Sequence, residues 1–314
     1  MSKNALLLSS FSGILLWLSY PKADISVAAF FAFVPLFYAI RGVSAKEGFE
    51  AGVVAGFVCN VGVLYWIAYV VVKYGYLPLY VGLAAMLAVA AILSIYTGLF
   101  AGGLAYLSKK GLPIAVAAPL LWVCVEFGRS HLLTGFPWEN LGYSQHQNLL
   151  LLQISDVTGV YGISFLVVFV NSVIYGLLNL KEKKRAIVIA EAATAVVTLG
   201  LVLSYGYYRV EKIRADLEKA PSGEVMVVQG NIDQSIKWDP AYQRETIDIY
   251  RKLTLDGRPS EGGLIVWPET ATPFYFQDKD GYQREVVDIA RLSGSYLLFG
   301  SPSYLVEGGR QHVL

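Results

Sequence analysis

Cysteine and histidine are scarce in this chain. Cys59 and Cys124 each stand inside an apolar stretch, and the three histidines, at 131, 146 and 312, form no HxxxH or HxH pair. No CxxC or other metal-ligand spacing results, so no metal and no cofactor is expected, and both cysteines read as small buried hydrophobes. Charge is also thin. Only 16% of residues are charged, where soluble domains carry about 25%. The net charge of +1 gives no reason to expect nucleic acid as a partner. Apolar residues fill the space instead: 55% of the chain is hydrophobic and mean hydropathy is +0.50. That is the composition of a membrane protein.

The apolar residues gather in seven runs within residues 1–208, at about 5–20, 25–40, 51–72, 77–107, 112–127, 157–180 and 186–208. Each is too long and too uniformly apolar for a strand, and a spanning segment must satisfy its backbone internally, so helices are expected. The first run follows Lys3 and resembles a signal peptide, but Tyr20-Pro21-Lys22 offers no small-residue cleavage site, so it reads as a retained span. With the N-terminus in the cytoplasm, the inner connections hold nine Lys and Arg residues and the outer ones three. That bias orients the domain with residues beyond Tyr208 outside the cytoplasm. Polar residues within spans are few: Asn60, Asn171, Glu191, and Glu126, whose spacing to Arg129 permits an ion pair on a helix. The outer connection 128–156 carries Phe136, Trp138 and Tyr143. Two readings fit them, an aromatic belt at the membrane interface or a lipid-facing rim of an active site.

Composition changes after Tyr208. Residues 209–223 read as a linker, broken by Pro221 and Gly223. Residues 224–314 then alternate: strands at 224–232, 263–267 and 296–304, with helices at 240–255 and 280–292 between them. This pattern predicts an α/β layer with parallel neighbouring strands, with chemistry collected just past the strands' C-terminal ends. Gln229, Asn231 and Glu269 fall at such ends. EGGRQHVL at 307–314 begins what reads as a further strand, so the chain is expected to stop inside a domain. Glu269 follows Leu264-Ile265-Val266-Trp267-Pro268. There it is expected to be partly desolvated and suited to proton transfer, or else to cap a turn or hold an ion pair. Acyl chemistry also requires a nucleophile and an oxyanion partner. No cysteine follows Cys124 and no GxSxG is present.

The segments VMVVQGNIDQSIKWDP and LIVWPETATP resemble the start of a nitrilase-type carbon–nitrogen hydrolase domain. Together with the upstream spans and FPWENLGYSQHQN, they resemble the apolipoprotein N-acyltransferases along the whole chain. The resemblance implies a polytopic helical membrane domain followed by the first part of an αββα sandwich. It implies a Glu-Lys-Cys triad in which the Cys takes an acyl chain from a phospholipid and passes it to the α-amine of a diacylglyceryl-cysteine on an apolipoprotein. Glu269 then matches the general base and Trp238 a mobile tryptophan at the site's mouth, with Gln229 and Asn231 beside it. Phe136, Pro137, Trp138 and Tyr143 match the membrane-side loop near the lipid entrance. The Lys and Cys would follow Leu314, so the 314 residues alone are expected to be inactive. The resemblance places the protein in the bacterial inner membrane, multi-pass, with the catalytic domain on the periplasmic side, and a monomer is expected. The competing readings are a membrane-tethered amidase and, further off, a polytopic transporter, which would need polar groups and broken helices near mid-membrane.

Overall fold

The computed structural model describes residues 1–180, 185–234, 236–257, 259, 261–307 and 310–313. It divides into two compact units, Met1–Glu218 and Lys219–Leu314.

The first unit is helical: α1 (Lys3–Ser19), α2 (Val34–Ala39), α3 (Ala45–Val63), α4 (Tyr65–Lys73), α5 (Leu79–Lys109), α6 (Ile114–His131), α7 (Leu149–Leu152), α8 (Ser155–Leu178) and α9 (Arg185–Lys219). Every one of the seven apolar runs carries helix. Among the described residues three helices, α5, α8 and α9, are long and apolar enough to cross a membrane, and α3 with α4 makes a fourth if that bent pair is one span. The 51–72 run is thus not straight: it bends by 46° at Leu64.

The 25–40 run differs more from expectation. It forms a short 3₁₀ turn, Ser26–Phe30, and then the six residues of α2, with Pro35 at the helix start. Most of α2 is buried. The backbone groups freed at the break are satisfied by Asn171 on α8, which accepts from the Phe33 N–H at 2.9 Å and donates to the Ala29 carbonyl at 2.8 Å. Broken helix is tolerated at membrane depth only where protein satisfies it. Around this segment lies an edge-to-face aromatic cluster. The Phe33, Phe100 and Trp122 rings stand 4.7–5.5 Å apart.

Helices α3 and α5 make the closest seam. Gly48, Gly52 and Gly56 recur one turn apart on α3 and face Thr97, Gly98, Ala101 and Gly102 of α5. Without side chains in the way, the backbones touch. In lipid, where burial of apolar surface supplies no drive, that contact is what holds helices together.

Cys59 is buried as expected, but Cys124 is exposed. It shares an outward stripe of α6 with Val116, Leu120 and Phe127, where a small apolar group suits lipid as well as a core. The expected linker 209–223 is helical as far as Lys219. Helix α9 runs on to Lys219, aided by a 2.8 Å ion pair between Glu211 and Arg214, and stops only as Pro221 approaches.

The second unit holds β1 (Val225–Val227), α10 (Gln243–Asp256), β2 (Leu264–Val266), α11 (Gly281–Ser293) and β3 (Tyr296–Leu298). The strands are parallel in the order β1-β2-β3, with Val225 beside Leu264 and Leu264 beside Tyr296. Met226, Ile265 and Leu297 point to the face packed by Ile247 and Tyr250 of α10 and Val286 and Ile289 of α11. Val225, Val227, Tyr296 and Leu298 point the other way and are exposed, Val227 to 76%. The first and third strands are shorter than the sequence pattern predicts. The expected 296–304 strand ends at Leu298, before Gly300 and Pro302. Beyond these residues β4 (Tyr304–Glu307) and β5 (Arg310–Val313) form a separate antiparallel pair.

Candidate functional site

In the α/β unit, residues gather where β1 and β2 end. Trp267 is the anchor. It is 2% exposed, its ring stacks on Tyr250 at 4.8 Å, and its indole N–H donates to Thr254 Oγ1 at 2.9 Å. The chain then turns at Pro268 and presents Glu269 outward. Glu269 is exposed, which corrects the expectation of partial desolvation. Side chains alternate along an extended segment, so burial of Ile265 and Trp267 does not carry over to a residue past a turn. The turn itself is fixed by backbone. The Trp267 N–H donates to the Leu298 carbonyl at 2.9 Å, and Thr270 sits in the left-handed region at φ 48°. A β-carbon on Gly300 would stand 2.5 Å from the Thr270 nitrogen, so only glycine lets the β3 end approach so closely.

Lys237 ties this turn to the loop after β1. Its Nζ donates to Thr270 Oγ1 at 3.0 Å and lies 3.5 Å from the Glu269 carbonyl oxygen. Sequence reasoning passed over Lys237, although it directly precedes Trp238. Trp238 is exposed, with Lys237 Nζ 5.8 Å from its ring. Gln229 and Asn231 are exposed too, and they bond each other, Nε2 to Oδ1 at 2.8 Å. The structure therefore brings the Trp238 loop to the Glu269 turn through Lys237, while Gln229 and Asn231 form their own pair.

In the helical unit, the connection after α6 folds around buried polar groups. Glu126 and Arg129 stand 3.9 Å apart, as their spacing predicts. Arg129 Nη2 donates to the Glu139 carbonyl at 2.8 Å and to Asn140 Oδ1 at 3.0 Å. The Tyr20 hydroxyl donates to the same Glu139 carbonyl at 2.7 Å. The Leu141 N–H donates to Glu126, and the Gly142 N–H donates to Ser164 Oγ at 2.9 Å. These bonds hold a cavity of about 690 Å³ whose walls include Tyr20, Leu64, Trp66, Pro137, Trp138 and Tyr143. Three of the four predicted membrane-side residues thus share one cavity, and the Trp138 ring packs 5.7 Å from Trp66. Phe136 instead packs against the cluster of Leu64, Met86 and Leu93.

Glu139 also lines this cavity, and sequence reasoning missed it. It is 7% exposed, stands at φ 66°, and its Oε1 has no hydrogen-bond partner. Burial pushes its carboxyl up to about 7, with Arg129 opposing the rise. The available signal was its position: a lone acid next to Trp138 in an aromatic segment.

Residues 12–173 match the family model described as the apolipoprotein N-acyltransferase N-terminal domain. The chain is 37% identical over 98% of its length to the apolipoprotein N-acyltransferase of Geobacter metallireducens, covering 59% of that relative. It is 28% identical over 93% of its length to the one of Pasteurella multocida, covering 55% of it. The chain belongs to the apolipoprotein N-acyltransferase family. It spans somewhat more than half the length of these relatives. Membership also weighs on the bend at Leu64. A broken helix is what a transporter would need, but here it occurs in a member of an acyltransferase family.

Proposed function

We propose that this chain supplies the membrane domain and the first part of the catalytic domain of an enzyme that N-acylates lipoproteins. The observation that carries the reading is the match to relatives of that name along nearly the whole chain. In this reading Glu269 is the general base. It takes the proton of a cysteine thiol, and the thiolate attacks the acyl ester carbonyl of a phospholipid. The lysophospholipid leaves, and a thioester remains. The α-amine of a diacylglyceryl-cysteine then attacks the thioester, an amide forms and the thiol is restored. In this reading the cysteine thiol and a lysine that steadies the oxyanion complete a triad with Glu269.

Three features support the reading. Glu269 is rigidly presented by the Trp267 anchor, as a base must be. Its carboxyl points outward, where a substrate can reach it. The bare apolar face of the sheet, Val225, Val227, Tyr296 and Leu298, is the surface that a second sheet would cover in a nitrilase-like αββα sandwich. Trp238 stands at the mouth of this site, with Gln229 and Asn231 beside it. Pro137, Trp138 and Tyr143 line the lipid approach. Seven spans, an N-terminus in the cytoplasm and a periplasmic catalytic domain in a bacterial inner membrane complete the proposal.

Glu269→Gln in the full-length protein tests the base. Transfer of acyl chains from phospholipid to a diacylated lipopeptide is expected to fall about 10²–10⁴-fold. Turnover near that of the wild type would remove Glu269 from the role. A reporter fused after residue 220 tests the topology, and activity on the cytoplasmic side would overturn the seven-span count.

A further inference from the structure

Helix α6 carries three polar side chains on one face, Trp122, Glu126 and Arg129, spaced four and then three residues apart. All three are buried. Two of them hold the turn at 139–141. The Leu141 N–H donates to Glu126 Oε1, and Arg129 Nη2 donates to the Glu139 carbonyl and to Asn140 Oδ1. Those bonds leave other atoms over. Among the described residues Glu126 Oε2, Arg129 Nε and the Trp122 indole Nε1 have no hydrogen-bond partner. The indole lies beside the Glu126 carboxyl without meeting it in hydrogen-bonding geometry. Unpaired polar atoms are most costly where the surroundings exclude solvent. Here all three residues line one small cavity of about 10 Å³, closed by Val125 and by Tyr96 and Thr97 of α5.

We propose that this cavity is a binding site for a single water molecule, which accepts from Trp122 Nε1 and Arg129 Nε and donates to Glu126 Oε2. The space is about that of one water, and three bonds are the usual complement of a buried one. The donor set selects the ligand. A metal cation would face two N–H groups, and an anion would face the Glu126 carboxylate. An ammonium ion has no lone pair for either N–H. Only a neutral group that both accepts and donates meets all three atoms, and the volume admits nothing larger than water. A neighbouring cavity of about 190 Å³ shares Tyr96 and Arg129 and is lined further by Leu132, Leu133 and Thr134 of the connection after α6, which brings the site within reach of solvent. The water completes the Glu126–Arg129 pair from which the 139–141 turn hangs. The inference stands on the helical unit alone and does not require the acyl-transfer reading.

Electron cryo-microscopy of the wild-type full-length protein in lipid nanodiscs, at a resolution that shows other buried waters, is the direct test. One compact density peak is expected about 2.7–3.2 Å from Trp122 Nε1, Glu126 Oε2 and Arg129 Nε. An empty site, an elongated peak, or a direct bond from Trp122 to Glu126 in its place would overturn the proposal. X-ray hydroxyl-radical footprinting of the same sample is the second test, because radicals form from the bound water itself. Trp122 and Trp267 are both buried, at 5% and 2% exposure, and the Trp267 indole N–H is already bonded to Thr254. Trp122 is expected to be oxidised several times faster than Trp267. Equal rates would overturn the proposal, and neither test depends on a variant that must fold.

Discussion

The seam between α3 and α5 makes a sharp prediction. A β-carbon added at Gly52 would stand 2.3 Å from the Thr97 carbonyl oxygen, 2.6 Å from the Ala101 β-carbon and 2.9 Å from the Gly98 α-carbon. The first and third contacts are with backbone, which cannot rotate away as a side chain can. Gly52→Ala therefore forces the two helices apart by on the order of 1 Å. The separation also loosens the neighbouring contacts of Gly48 and Gly56. Overpacking of this kind costs about 1–3 kcal/mol, and here lost helix–helix dispersion adds to it. Gly200 on α9 is the control, because nothing lies within 4 Å of where its β-carbon would be. Gly200→Ala is expected to be neutral or stabilising by up to about 1 kcal/mol through helix propensity. Thermal melting of both variants in one detergent, followed by tryptophan fluorescence, separates them. If Gly52→Ala melts with the wild type, or Gly200→Ala loses as much, close backbone contact is not what binds α3 to α5.

Glu139 gives a pH prediction. Its carboxyl titrates near 7 in the folded protein, above the usual 4.5, so between those values the folded state holds more of the proton than the unfolded one. Stability from this group is therefore full below pH 4.5 and is lost as pH rises to 7, about 3 kcal/mol in all. Glu139→Gln should accordingly raise the melting temperature at pH 8 and leave it unchanged near pH 5; equal effects at both would refute the assignment. If the proposed acyl transfer holds, Lys237→Met in the full-length protein should lower its kcat by about ten- to a hundredfold by freeing the 269–270 turn, with KM and melting temperature little changed. Lys237→Arg should recover part of the loss, and a fall in melting temperature matching the loss of rate would point to a purely structural role.

The apolar runs announced the helices because hydropathy acts over whole segments. The breaks were hidden for the same reason. Nothing in VGVLYWIAYV marks Leu64, where a 46° bend opens beside the cavity. The 25–40 run is as apolar as its neighbours, but its helix is interrupted because Asn171, far along the chain, satisfies the opened backbone. Such a partner is invisible to any local window. The small-residue seam is written in the sequence as glycines four residues apart, Gly48, Gly52 and Gly56, a pattern the sequence analysis passed over. What could not be read was its partner, since the spacing names a face and not the helix it meets. In the α/β unit the parallel pairing and the strand-end position of Glu269 followed from the alternation of elements, while Lys237 was legible only as a neighbour of Trp238.

The pair Trp138–Glu139 shows the limit most clearly. Hydropathy alone would bury the tryptophan and expose the acid. The structure does the reverse: Trp138 is 61% exposed and Glu139 is 7% exposed. The left-handed backbone at Glu139 turns adjacent side chains to opposite sides. At a membrane surface both placements have a cause. An indole suits the interface, where its ring meets lipid and its N–H meets water. The acid can turn inward because its own backbone carbonyl is held by Tyr20 and Arg129. Those two bonds fix the main chain and leave the carboxyl oxygen Oε1 unclaimed.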